Sequence, residues 1–187
     1  MEGKIVYFEN TGPDNTEEVL RIAKARAEEL GIKAILVAST RGDTAARAVE
    51  VFKGAKVIAV SHATGFSEPN LQRFTEENRK KVESKGGIVL TTTHTFSGLD
   101  GAMRKKFNMY LLGDIVANTL RLFGSGMKVV CEIAPMAADA GLVHTDEDII
   151  AIAGTGRGAD TAVVLRPANS RDFFDLRVKE ILCKPHF

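Results

Sequence analysis

The chain predicts an α/β protein: a doubly wound, mostly parallel sheet held between helices as a three-layer sandwich, with antiparallel edge strands at the C-terminus. Three observations carry that expectation. Apolar runs alternate with helical patterns over most of the 187 residues, as in chained βαβ units. Several runs are continuously apolar, as strands buried on both faces must be. The last two strand-like runs, 161–166 and 178–182, follow one another without a helical pattern between them, which calls for an antiparallel turn. No repeat, low-complexity tract or linker breaks the pattern, so 1–187 is expected to be one domain, and its length suits one sizeable core.

The first strand is Lys4-Ile5-Val6-Tyr7-Phe8, closed by the polar turn Glu9-Asn10-Thr11-Gly12-Pro13-Asp14. Asn15-Thr16-Glu17-Glu18 has the spacing of a capping box and opens a helix. Its apolar face is Val19, Ala23, Ala27 and Leu30, and Gly31 is placed to end it. Ala34-Ile35-Leu36-Val37-Ala38 is the second strand. It runs through Ser39-Thr40-Arg41-Gly42-Asp43-Thr44 into a helix with Ala45, Ala48, Val49 and Phe52 on one face, stopped by Gly54. Lys56 to Ser61 is the third strand, followed by His62-Ala63-Thr64-Gly65-Phe66.

Segment 71–85 is helical and charged, with Asn78-Arg79-Lys80-Lys81 as a solvated face. Gly87-Ile88-Val89-Leu90 is the fourth strand, running into Thr91-Thr92-Thr93-His94-Thr95, and 98–102 turns the chain. Leu111, Leu112, Ile115, Val116, Leu120 and Phe123 recur at helical spacing, which predicts a well-packed helix over 111–123. Gly124-Ser125-Gly126 ends it. Segment 128–134 reads as a fifth strand and 136–140 as a short small-residue helix stopped by Gly141. A sixth strand, 148–153, leads into Gly154-Thr155-Gly156-Arg157-Gly158-Ala159-Asp160.

The strand-loop-helix around 39–44 aims free backbone N–H groups and the positive end of a helix at one spot, an arrangement suited to an anion. Hydroxyls of Ser39, Thr40 and Thr44 add donors, and Arg41 adds a charge. The alternative is a turn whose hydroxyls only cap the helix. His62 and His94 each follow a parallel strand, so they share the edge where such sheets bind ligands. With Ser61, Thr64, Thr92 and Thr93 they suit a binding or structural role; an acid–base pair is the alternative. The 154–158 glycines lack the following helix that a dinucleotide fingerprint requires. His144, beside Asp146, Glu147 and Asp148, and His186 near the tail read as surface residues.

The stretch 33–62 resembles the start of the C-terminal α/β domain of pyruvate kinases: an apolar strand, a hydroxyl-and-glycine loop with Gly42, Thr44 and Ala45, and the strand Lys56-Val57-Ile58-Ala59-Val60-Ser61. A second block, 147–166, resembles the same domain, with Asp148-Ile149-Ile150-Ala151-Ile152-Ala153-Gly154 and a Gly-rich loop before an antiparallel strand. The resemblance implies that loop 39–44 holds a phosphate of a sugar-bisphosphate effector and that Gly154, Thr155, Gly156, Arg157 and Gly158 close over it. Arg41 stands where that family has a small hydroxyl, and Asp43 where it commonly has an arginine. A carboxylate beside a phosphate, and the lack of a second basic loop residue, favour a monophosphate. The family's catalytic residues lie in a barrel domain that this sequence does not contain, so the resemblance does not imply kinase activity.

Hydrophobic residues make up 44% and charged residues 26% of the chain, and the net charge is +1. No field draws it to nucleic acid or to a membrane surface, and with no Trp and two Tyr it has few stacking platforms for bases. Cys131 and Cys183 lack metal-ligand spacing and read as free thiols, with no metal site expected. Such thiols suit a cytoplasmic protein, as does an N-terminus without a signal-peptide core. No apolar run approaches the roughly 20 residues of a membrane span. The expected function is binding of a small phosphorylated ligand, with a mononucleotide such as FMN as a candidate, Asp43 accepting from a polyol hydroxyl, and a homo-oligomer as the assembly. The alternatives are an enzyme on a phosphorylated metabolite using His62 or His94, and an interaction module that binds no metabolite.

Overall fold

The computed structural model describes residues 2–186. The strands are β1 (Val6–Phe8), β2 (Ala34–Ala38), β3 (Lys56–Ser61), β4 (Ile88–Thr91), β5 (Ile149–Ala153), β6 (Thr161–Arg166) and β7 (Arg177–Pro185). The helices are α1 (Thr16–Leu30), α2 (Asp43–Val51), α3 (Glu76–Ser84), α4 (Leu99–Phe107), α5 (Leu112–Arg121) and α6 (Ser125–Asp139). One sheet carries the order β1-β7-β6-β5-β2-β3-β4. Every neighbouring pair is parallel except those made by β6, which runs against β5 and β7. The antiparallel strand at the C-terminal end therefore lies inside the sheet, because β1 adds itself beyond β7.

Alternate residues of the central strands feed two cores, which gives the three layers. Ile35, Val37, Val57, Ala59, Ile150 and Ile152 face α1 and α2 on one side. Leu36, Ile58, Val60, Ile149, Ala151 and Ala153 face α6 on the other. A strand buried on both faces has no polar side to show, which is why β2 and β5 read as unbroken apolar runs. Cys131 and Cys183 are free and buried among these layers, and burial pushes their thiols up to about 11 and about 12. No helix among the described residues is long and apolar enough to cross a membrane.

Five local expectations fail. Segment 128–134 is not a strand: together with 136–140 it forms the single helix α6, which carries Pro135 within it. Nearly all of α6 is buried, so it shows no polar face, and an apolar run of that kind does not distinguish helix from strand. Segment 98–102 opens α4 instead of turning the chain. The helix expected over 111–123 forms as α5, but it is not well packed: Leu112, Ile115, Leu122 and Phe123 are all more than half exposed. Asn15 makes no side-chain cap; it is the last residue of a 3-10 turn, Pro13–Asn15, leading into α1, and its amide donates to the Asn10 carbonyl at 2.8 Å. The charged segment 71–85 is helical only from Glu76, where the Thr75 hydroxyl accepts from the Asn78 amide at 3.2 Å.

Candidate functional site

Because β2, β3, β4 and β5 are parallel, their carboxyl ends open on one edge, and β2 lies beside β5. The loops after these strands surround an open cleft of about 1270 Å³. Of the thirteen residues expected at the site, Ser39, Thr40, Arg41, Thr44, His62, Thr64, His94, Gly154, Gly156, Arg157 and Gly158 line it; Gly42 and Thr155 do not.

Loop 39–44 is braced from behind. Gly42 has φ +98°, and a Cβ there would stand 2.5 Å from Asn78 Cβ and 2.8 Å from the Phe74 ring. Both the left-handed backbone and the close approach demand glycine. Asn78 Nδ2 donates to the Arg41 carbonyl at 3.0 Å and to Asp43 Oδ1 at 2.9 Å. That second bond engages the one carboxylate that would oppose an anion in this loop. The Ser39 hydroxyl accepts from the Ala45 amide at 3.3 Å. The N–H groups of Thr40, Arg41 and Gly42 have no partner among the described residues, and those of Asp43 and Thr44 belong to the open first turn of α2. Sequence reasoning missed Phe74 and Asn78, whose signal was a lone aromatic and an amide inside an otherwise charged stretch.

Beside it, after the neighbouring strand β5, stands the 154–158 loop, tied down by Asp160. This fully buried carboxylate accepts from the Gly12 and Thr155 amides, each at 3.0 Å, and from the Thr161 hydroxyl at 2.8 Å. A Cβ on Gly158 would overlap Pro13 and approach Thr16 Oγ1 to 2.6 Å, and one on Gly154 would meet the Gly158 carbonyl at 2.5 Å. The loop thus packs directly on the β1–α1 turn, where Thr16 Oγ1 also accepts from the Ala159 amide at 3.0 Å. Arg157 is exposed and has no partner among the described residues.

On the other side of loop 39–44, after β3 and β4, stands an aromatic wall. The His62 and Phe66 rings lie 4.4 Å apart, His62 and His94 5.2 Å, and Phe66 and His94 4.9 Å. His94 Nε2 accepts from the Ala63 amide at 3.3 Å and Nδ1 meets the Ser97 hydroxyl at 3.4 Å, which assigns the proton to Nδ1. His62 Nε2 faces the Thr40 hydroxyl at 3.4 Å. Burial lowers the pKa of His62, as does the neighbouring His94; burial likewise lowers that of His94. Both rings are therefore neutral at neutral pH. The Thr64 hydroxyl sits at the rim, accepting from Gln72 at 3.3 Å. Deeper in, α6 contributes the buried ion pair Lys128–Glu132, and the second Glu132 oxygen accepts from the Phe96 amide at 3.3 Å. Burial lowers the Lys128 pKa against the opposing pull of Glu132. Neither residue was expected, because 128–134 read as a strand.

Two buried polar atoms at this edge, His62 Nδ1 and Thr155 Oγ1, have no hydrogen-bond partner. The cleft is lined by seven arginines and lysines against two carboxylates, Asp43 and Glu132, although the whole chain carries only +1. Arg47, Arg104 and Lys128 are paired with Glu17, Asp114 and Glu132. Arg41, Lys105 and Arg157 are paired with nothing among the described residues.

The family model described as the pyruvate kinase α/β domain matches residues 17–165. Among solved structures, two of pyruvate kinase from Cryptosporidium parvum are similar, at 14% and 13% identity. They match 82% of this chain with TM-scores of 0.43 and 0.41. The chain spans 23% and 22% of those proteins' length.

Proposed function

The chain belongs to the pyruvate kinase α/β domain family, and from that premise we propose that it binds a small phosphorylated ligand at the carboxyl edge of its sheet. The observation that carries this reading is the positive excess in the cleft, whose lining includes the unpaired Arg41 and Arg157 together with loop 39–44 and its open amides. Anions bind such helix-terminal nests through N–H groups and guanidinium together. The phosphate falls to Thr40, Arg41, Thr44 and Arg157. The neutral histidines add no charge there.

A mononucleotide, FMN among the candidates, is the finer reading. The cleft is far larger than a phosphate, and the His62–Phe66–His94 wall offers faces to a planar ring. The unpartnered Nδ1 of His62, a cleft-lining residue, suits a ligand with polar atoms beyond its phosphate. Asp43 keeps one carboxylate oxygen for a polyol hydroxyl. FMN would supply redox chemistry; the chain's own residues bind and orient it.

The test is equilibrium binding of FMN, followed by flavin fluorescence, with inorganic phosphate as competitor. Replacing Arg41 or Arg157 by Ala is expected to weaken binding about tenfold or more each, the scale of one charge-assisted hydrogen bond. No binding by the wild type defeats the FMN reading. Unchanged affinity in both variants, and no competition by phosphate, defeats the phosphate site. A second reading, acid–base chemistry at His62, is favoured by its unpartnered Nδ1 in a neutral ring. Turnover lost in His62→Asn with ligand affinity retained is the result that reading requires.

A further inference from the structure

α4 has no buried residue, and nine residues are too few for a helix to persist on propensity alone. Yet α4 lines the cleft through Leu99, Gly101 and Arg104, so one wall of the site rests on an element that buries no side chain and is tied to α5 by polar contacts, Arg104 to Asp114 and the Gly113 amide to Asp100. The same helix and its neighbour leave an apolar face in water. Leu99 and Phe107 on α4, Tyr110 in the linker, Leu112 and Ile115 on α5, and Leu122 at the C-cap of α5 are each 57% to 84% exposed. Leu112, Ile115 and Leu122 share one side of α5, opposite the buried Ala117 and Asp114 that turn inward.

We propose that a second copy of this chain covers the α4–α5 face, so that the protein is an isologous dimer whose interface fixes the cleft wall. Area is the first argument. At about 200 Å² for a fully exposed large side chain, these six residues present roughly 800 Å². That exceeds the usual 300–600 Å² patch of a monomer and matches the ~800 Å² each partner gives to a standard interface. Charge is the second. Of the four basic residues in 99–123, Arg104, Lys105 and Arg121 line the cleft, which leaves Lys106 alone beside the apolar face. A membrane surface would need a basic rim there. A face poor in charge is what the centre of a homodimer presents, and a two-fold axis lets it pair with itself. Asp114 supports the packing from beneath: it pairs with Arg104 across the two helices and accepts from the Leu111 amide at 3.2 Å.

The experiment is sedimentation of the full chain over a wide dilution series without ligand, so it succeeds or fails independently of the phosphate site. The wild type is expected to be a dimer. Leu122→Asp and Leu112→Lys are expected to weaken association about a hundredfold, the scale of losing a central apolar anchor, while keeping wild-type circular dichroism and cooperative unfolding. Phe174→Asp, at an exposed residue on another part of the chain, is expected to leave the dimer intact. Hydrogen exchange supplies the second readout: α4 amides are protected in the wild type and exchange rapidly in the monomeric variants. A wild type that is monomeric throughout, with or without sedimentation on anionic vesicles, overturns the proposal. So do folded Leu122→Asp and Leu112→Lys variants that remain dimeric, and a Phe174→Asp variant that falls apart with them.

Discussion

Asp160 offers the sharpest quantitative test of how the site is built. Its carboxylate is fully buried and accepts three hydrogen bonds, from the Gly12 amide, the Thr155 amide and the Thr161 hydroxyl. Replacing it by Ala leaves two amides and a hydroxyl facing a small void. Each orphaned donor costs about 1–3 kcal/mol, so the three sum to about 3–9 kcal/mol, and for a chain of this size that lowers Tm by about 6 °C or more. Replacing it by Asn has a different consequence. The amide oxygen can take the place of Oδ2 and keep both backbone donors, while the NH2 donates to Thr161 Oγ1, which is free to accept. Only the extra strength of charge-assisted bonds is lost, about 1–2 kcal/mol. Urea unfolding followed by circular dichroism measures both, and exchange rates of the Gly12 and Thr155 amides localise the damage. An Ala variant within about 1 kcal/mol of wild type, or Asn and Ala variants of equal stability, refutes the role of Asp160 as the tie between the two loops.

Two further effects follow from the same geometry. Gly42→Ala places a Cβ against Asn78 and Phe74 on a left-handed backbone; backbone cost of about 1–2 kcal/mol and overpacking of about 1–3 kcal/mol are expected to appear as a lower urea midpoint. For pH, the native His62 and His94 sit below the ordinary value of 6.5 because burial disfavours their charged forms. Between the native and unfolded values the unfolded chain binds more protons, so stability is fully present above 6.5 and is lost as pH falls toward and through the native values. Urea midpoints between about pH 7.5 and 5 are expected to fall, and less steeply in His62→Asn and His94→Asn; a flat profile in the wild type refutes this.

What the sequence disclosed, and what it hid, divides along burial. β2, β3 and β6 form over the bounds their residues suggested, because continuous β-branched and aliphatic runs of five or six residues between turn signals leave little choice. The parallel arrangement then brought loops 39–44 and 154–158 and both histidines to one edge, since strand direction alone decides where loops emerge. α6 was hidden because a helix buried on nearly every side loses the 3.6-residue periodicity that identifies helices. α5 was hidden in a different way. Its apolar spacing is real, but periodicity reports that one face is apolar, not which way it points, and here Leu112, Ile115 and Leu122 face outward. The partners of the loops gave only weak signals, because contacts across long separations define their roles: Asn78 and Phe74 reach loop 39–44 from a distant charged stretch, and Asp160 reaches the Gly12 amide from the other end of the chain.

The glycines of the two loops also change meaning once their surroundings are known. Gly42 is required by Asn78 and Phe74 behind it, Gly158 by Pro13 and Thr16, and Gly154 by the carbonyl of Gly158. All three are explained by packing with nothing bound, so none of them argues for a ligand. Substituting them would damage the fold and the site together and could not tell the two apart. Arg41 and Arg157 are the opposite case: exposed, without partners among the described residues, and on the cleft lining. Losing either costs the fold little, since exposed charges contribute little to stability. An effect of those two substitutions on phosphate or FMN affinity, with unfolding unchanged, therefore bears on the ligand alone, which is why they and not the glycines are the residues on which the functional reading stands or falls.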